Sequence, residues 1–355
     1  MIFAILVVCG IAYNLLSIVA LAAFRHKHPI SDYTPPVSIL KPVRGRDSGF
    51  YEAIKSHAIQ QYPEFELLFG SADAAEPALA DIERLKREFP NLLIRFINTA
   101  NDAPNGKVGS LEILARAARY QTFLVNDGDI LVEPDYLQRV IGPLQDPAVG
   151  MVTCLYRGRG ASFASQAEAL GISTEFMPSV LVARLLSSSG FALGATMAFR
   201  KADLAAIGGF ASIREYLADD YQLGARIAAA GKRVLLADSI VETNLGAGSW
   251  ASVWKHQIRW SRTIRVSRPA GYFGYVLTQL TFWCVLALFS GQWKVAIAGL
   301  GVRFFCASAY SPWPFQVWLR DLFGMGVWLA GLGGNYVEWR GLRFRLLKDG
   351  RIKSV

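Results

Sequence analysis

Five aspartates stand where carboxylates could do chemistry. Asp127-Gly-Asp129 follows directly on the apolar run Thr122-Phe-Leu-Val-Asn126. Two carboxylates one residue apart at a strand end can share a hard divalent cation. Mg2+ and Mn2+ prefer such oxygen ligands and complete their shells with water and phosphate oxygens. A cation there would neutralise a diphosphate leaving group. D-x-D also arises by chance in loops, so its weight comes from its place after a strand. Asp219-Asp220-Tyr221 opens a helical run, where the helix dipole favours negative charge whether or not the residues react. The functional reading makes Asp220 a general base that takes a proton from an acceptor hydroxyl, with Asp219 beside it in no assigned role. Asp73 follows the run Phe65-Glu-Leu-Leu-Phe-Gly70. It could hydrogen-bond a uracil or ribose edge, or simply close an Asx turn.

Basic and aromatic residues complete the set. Lys107 lies in Asn105-Gly-Lys107-Val-Gly-Ser110, just before a helix. That is a place for a phosphate or nucleotide, or for a solvated lysine. His256-Gln-Ile-Arg259-Trp260 falls in a basic, tryptophan-rich stretch. Arg259 could hold a diphosphate and Trp260 could stack near an acceptor. The same residue types also make an interfacial anchor helix.

The elements that must position these residues alternate along the middle of the chain. Strands are expected at Val37–Val43, Phe65–Gly70, Leu93–Ile97 and Thr122–Asn126, with helices over Gly49–Gln61, Pro77–Phe89 and Ser110–Tyr120 between them. That alternation predicts a mostly parallel α/β sheet with helices on both faces. Ligands of such sheets bind beyond the C-terminal strand ends, which is where Asp73 and Asp127-Gly-Asp129 fall.

The flanks read differently. Met1–Phe24 carries no charge and is long enough to cross a bilayer. Arg25, His26, Lys27 and His28 follow it, the reverse of a signal peptide's order, so it reads as an uncleaved anchor with the next segment on the cytoplasmic side. Trp250–Arg268 suits a helix at headgroup level. Tyr272–Gly291 is a spanning candidate, Val295–Tyr310 a second one interrupted by Arg303, and Phe315–Tyr336 a short third with Arg320 and Asp321 near its start. Arg340, Arg343, Arg345, Lys348, Arg351 and Lys353 form a basic tail expected to stay cytoplasmic. That needs an even number of C-terminal crossings, hence two spans and a re-entrant or interfacial last segment. The divisions expected are therefore an anchor at 1–24, a catalytic domain at 36–245, an interfacial helix at 246–271, membrane segments at 272–338 and a tail at 339–355.

With 355 residues, 52% of them hydrophobic, and a net charge of +9, the chain is more apolar than a typical soluble domain. Its basic residues cluster beside membrane segments, which favours anionic lipid or a phosphate-bearing substrate over nucleic acid. Cys9, Cys154, Cys284 and Cys306 have neither disulfide nor zinc spacing.

Taken together, VSILKPVRG, QYPEFELLFGSAD, NGKVGSL, VNDGDILVEPDYL, GMVTCLYRG, FALGATMAFRK, GGF, LADDYQLG, HQIRWSRTIR and WRGLRFR resemble glycosyltransferase family 21, the ceramide glucosyltransferase family. They resemble most its bacterial branch of hopanoid-biosynthesis enzymes. The resemblance implies a GT-A fold with a Rossmann-like mixed sheet, a UDP-sugar donor, Mg2+ or Mn2+, and inverting transfer of N-acetylglucosamine or glucose to a lipid hydroxyl of a hopanoid polyol or ceramide. It implies an integral protein of the bacterial inner membrane, its catalytic domain facing the cytoplasm. It assigns Asp73 to the nucleotide, Asp127 and Asp129 to the diphosphate and metal, Asp220 to the acceptor proton, and Arg259-Trp260 to the end of the (Q/R)-x-x-R-W motif. His256 stands where that motif has Gln or Arg, and Gly109-Ser110 where the family tends to carry Asn after Lys107-Val. Two other readings remain. A processive polysaccharide synthase shares the aspartate pattern but generally has more membrane helices. A non-catalytic lipid-binding protein would be expected to have lost carboxylates that are intact here.

Overall fold

The computed structural model describes residues 1–25, 30–73, 75–186, 190–339 and 341–355. His26, Lys27 and His28 of the expected basic flank, and Arg340 of the tail, lie outside them. A long apolar helix, α1 (Ile2–Phe24), leads into alternating strands and helices. These are β1 (Val37–Pro42), α2 (Phe50–Ala58), β2 (Phe65–Ser71), α3 (Leu79–Glu88), β3 (Leu93–Asn98), α4 (Gly106–Ala117) and β4 (Thr122–Val125). Then come β5 (Ile130–Leu131), α5 (Tyr136–Ile141), β6 (Val149–Gly160), α6 (Phe163–Gly171), α7 (Met177–Leu185), β7 (Met197–Arg200), α8 (Lys201–Ala206), α9 (Asp219–Ala229) and β8 (Arg233–Gly246).

The strands form one sheet in the order β3-β2-β1-β4-β7-β6-β8-β5. β3, β2, β1 and β4 run parallel. β7 is antiparallel to both β4 and β6, β6 is parallel to β8, and β5 is antiparallel to β8. The sheet is therefore mixed beyond β4. Val37, Ile39, Leu67 and Leu124 are buried in one core, whereas Leu40, Leu68, Phe123 and Val125 are buried in another. The near-continuous apolar runs of β1, β2 and β4 follow from burial of both sheet faces. Because the four parallel strands end together, Lys41, Asp73 and Asp127 all fall at the same edge.

Helix α4 starts four residues before its expected position. The Asn105 side chain accepts hydrogen bonds from the amides of Lys107 and Val108, an N-cap that sets the start at Gly106. Lys107 thus belongs to the first turn of a helix rather than to a loop.

The C-terminal part is helical and then extended: α10 (Trp250–Ser267), α11 (Pro269–Gly274), α12 (Leu280–Phe289), α13 (Trp293–Tyr310), α14 (Val317–Leu332), β9 (Tyr336–Trp339), β10 (Leu342–Leu346) and β11 (Ile352–Ser354). Helix α1 is long and apolar enough to cross a membrane. It packs on α7, α12 and α13 and leaves Ile5, Val8, Leu15 and Val19 exposed. The expected span Tyr272–Gly291 is not one straight helix: Pro269–Thr278 and Leu280–Phe289 are bent by 47°. Arg303 of α13 does not face outward. Its guanidinium holds Asp321 of α14 at 2.8 and 2.6 Å and the Thr174 carbonyl at 3.1 Å, as a charge among apolar helices requires. The 339–355 segment is mostly not a free tail. It supplies β10 and β11, which with β9 make a three-stranded antiparallel sheet. Val337, Phe344, Leu346 and Ile352 bury an apolar face against Leu217.

Candidate active site

The site forms where β1, β4, the start of α4 and the start of α9 converge. Lys107 is its hub: its ammonium lies 2.8 Å from an Asp127 carboxylate oxygen and 3.2 Å from one of Asp219. Burial opposes the Lys107 charge, but Asp127 and Asp219 outweigh it and hold the ammonium above its ordinary range. Asp220 accepts from the Gly194 amide at 2.8 Å and from the Tyr221 amide at 2.7 Å. A Cβ on Gly194 would stand 3.3 Å from an Asp220 carboxylate oxygen and 3.6 Å from one of Asp127. The two carboxylates therefore border one small space, which a side chain at position 194 would begin to fill.

The electrostatics differ from one aspartate to the next. Burial first, and then Asp219, push the Asp220 carboxyl up to about 6, against the pull of Lys107. That is well above the ordinary aspartate range, although α9 begins at Asp219 and its dipole favours the anion. Asp129 is also raised, by burial and by Asp127. The Thr243 hydroxyl donates to its carboxylate, and its backbone carbonyl accepts from the Asn244 amide at 3.3 Å. Asn126, just before the D-x-D, is buried and ties Tyr136, Ala195 and His57 together. The loop thus leaves the sheet in one fixed direction.

Sequence reasoning gave no role to three residues that the fold brings here. Lys41 is fully buried at the end of β1, and its ammonium donates to the Asp127 carbonyl at 3.2 Å. Burial pushes it down to about 7, while Asp129 and Asp127 act to raise it. A lysine ending an otherwise apolar, two-sided buried strand was the available signal. Tyr156 of β6 is raised by burial and then by the fields of Asp220, Asp127, Glu168 and Asp129. Glu168 of α6 is buried and accepts from His256 Nδ1 at 2.7 Å.

The expected residues do not all meet. Asp127, Asp129, Lys107, Asp219 and Asp220 form one cluster. Asp73 is exposed, and its carboxylate accepts from the Ala75 amide at 2.8 Å in an Asx turn. His256 and Trp260 pack ring to ring at 4.5 Å on α10, and Arg259 is half-buried beside them. Of these, His256 is held by Glu168. Gly109, where the resemblance expects Asn, faces the Asn101 side chain, whose Oδ1 would stand 2.0 Å from an added Cβ. An asparagine from the preceding loop fills that space instead.

The family model of glycosyl transferase family 21 matches residues 2–352. Ceramide glucosyltransferase 3 of Caenorhabditis elegans is 25% identical over 366 residues, covering 95% of this chain and 79% of that protein. Ceramide glucosyltransferase 1 of the same organism is 26% identical over 242 residues, 66% of this chain. The matched region spans 51% of that second relative. Among solved structures, the chain resembles the mannosyltransferase PcManGT from Pyrobaculum calidifontis in complex with GDP-Man and Mn2+. The TM-score is 0.57 at 16% identity, covering 92% of this chain and 97% of that one. That likeness carries the fold, the GT-A arrangement of a mixed sheet. Because the family match leaves out only the first residue and the last three, the chain belongs to glycosyl transferase family 21.

Proposed function

We propose that this protein is an inverting glycosyltransferase that moves N-acetylglucosamine or glucose from a UDP-sugar to a hydroxyl of a membrane lipid. The observation that carries the reading is the pairing at Gly194. An aspartate raised to about 6 borders the same space as the D-x-D loop, beside a residue without a side chain. A base that titrates near the working pH suits removal of a proton from an alcohol.

This chain's residues divide the work. Lys107, at the start of α4, supplies positive charge for a diphosphate. Asp220, fixed by the Gly194 and Tyr221 amides, keeps lone pairs for the acceptor hydroxyl. As the acceptor oxygen attacks the sugar's anomeric carbon, the bond to UDP breaks on the opposite side and Asp220 takes the hydroxyl proton. Asp73 would meet the nucleotide, and Arg259 and Trp260 would line the acceptor side.

The donor set also fits a divalent cation. Asp127, Asp129, Asp219 and Asp220 outnumber Lys41 and Lys107, so the cluster carries excess negative charge. Among the described residues no group of three His, Cys, Asp or Glu could cage a metal. Two loop carboxylates plus water and phosphate oxygens make a ligand set of the Mg2+ type. Asp127 and Asp129 would hold Mg2+ or Mn2+, which supplies charge neutralisation of the departing diphosphate.

Exposed apolar side chains along α1 support membrane insertion, and the proposed setting is the bacterial inner membrane with the catalytic domain in the cytoplasm. Contact of β11 with the catalytic domain keeps the C-terminus on that domain's side. Two acceptors compete: the stretches GMVTCLYRG and LADDYQLG resemble the hopanoid branch, while the relatives' names point to ceramide. Membranes carrying the protein, incubated with UDP-sugars and each lipid, should yield one glycosylated lipid by mass. Sugar polymer, or no product with any donor, would sink the reading.

A further inference from the structure

The loop that precedes Asp219 and Asp220 is gripped from both sides. On one side stands β11: the Ile352 amide donates to the Glu215 carbonyl at 2.7 Å, and Tyr216 pairs with Arg351 in an antiparallel bridge. Leu217 is buried in the same apolar cluster as Val337, Phe344, Leu346 and Ile352. On the other side stands Asn105. Its amide donates to the Arg214 carbonyl at 2.9 Å and its side-chain amide to the Tyr216 carbonyl at 2.7 Å. The Oδ1 of that same side chain caps the Lys107 amide at 3.1 Å. One strip of hydrogen bonds therefore runs from the C-terminal strand, through residues 214–217, to Lys107.

The sheet is fixed to the membrane helices as well. Arg262 of α10 donates to the Gly333 carbonyl at 3.0 Å, and Arg265 to the Gly334 carbonyl at 2.7 Å. These carbonyls lie in the link from α14 to β9. Helix α10 carries His256, Arg259 and Trp260, so the residues proposed for the acceptor side are tied to the same C-terminal element.

We propose that the three-stranded C-terminal sheet is a clamp that positions Asp220 and Lys107, with Ile352 as its positioning residue. The sheet supplies none of the clustered aspartates. It acts by holding the 214–218 loop, and a small displacement of a reacting group is enough to cost a large factor in rate. The effect on turnover rests on Asp220 being the base, whereas the ordering of the loop does not.

The test uses the full-length protein. Ile352→Pro removes the amide donor, and Ile352→Ala keeps the donor while trimming the apolar contact, so it serves if the proline variant does not fold. Hydrogen exchange of the amides at 214–220 should quicken at least tenfold in either variant, with β1, β2 and β4 unchanged. Turnover should fall about tenfold or more with the KM for the UDP-sugar within twofold, and Ile352→Val should restore both. Unchanged exchange at 214–220 would overturn the clamp. So would quickened exchange with full turnover, provided that Asp220→Asn is inactive in the same assay. If Asp220→Asn stays active, the base assignment has failed, and exchange alone decides whether the clamp orders the loop.

Discussion

At Asp220 two demands on one carboxylate conflict. Folding would favour an ionised, solvated group, whereas the site buries it beside Asp219 and lifts its titration to about 6. A base must be deprotonated, so kcat/KM should fall about tenfold per pH unit below about 6 and level off above it, which a log kcat/KM profile would show. Asp220→Asn should lower kcat by about 10²–10⁴-fold. The sign for stability is opposite. A carboxyl raised from 3.8 costs stability above its unfolded value, so the neutral asparagine should raise Tm by about 2–4 °C at pH 7. Lys41 obeys the same logic from the cationic side, being pushed down to about 7 by burial. Lys41→Met should leave Tm equal or higher, yet cut turnover by about 10²-fold through loss of the hold on Asp127. The carboxylates were legible because a D-x-D after an apolar strand and a paired Asp at a helix start are short-range patterns. Lys41 and Glu168 were not, because their meaning depends on burial created by strands and helices distant in sequence.

At the scale of elements, the caps and breaks decide where charge points. Asn105 is fully buried and sets the start of α4. Asn105→Ala should cost about 1 kcal/mol from the lost cap and lower turnover as well, since Lys107 rides on that first turn. Denaturant melts and initial rates on the same preparation would separate the two effects. Strands β1 to β4 and the helices between them follow the sequence closely, because apolar runs bounded by turns are a local signal. The start of α4 was missed because two glycines, Gly106 and Gly109, made its first turn read as a loop, whereas Asn105 caps it. Tyr272–Gly291 looked like one span because composition carries no record of the 47° bend. The alternation Leu342, Phe344, Leu346 marked a half-buried strand, but the interleaved arginines hid it as a basic tail.

Across the whole molecule, the C-terminal helices are joined to one another and to the segment that follows α6 by buried polar contacts. Arg303 reaches from α13 to Asp321 of α14 and to Thr174 beyond α6, while Arg320 of α14 lies 3.3 Å from Glu175 and donates to Gln257 of α10 at 2.9 Å. Removing one partner of such a pair strands the other charge. Asp321→Asn should therefore destabilise the protein by about 3–5 kcal/mol, read as a lower melting temperature in detergent, without touching the carboxylate cluster. These long-range pairs could not be read from one sequence, which showed charges in apolar helices but not their partners. On the proposed reading, Asp220 deprotonates a lipid hydroxyl during inverting transfer from a UDP-sugar. The most direct test is the anomeric configuration and yield of the lipid product formed by wild-type and Asp220→Asn membranes side by side. Inversion from an α-linked donor should give a single β-glycoside, all but absent in the variant. An α-glycoside, or equal product from the variant, would contradict it.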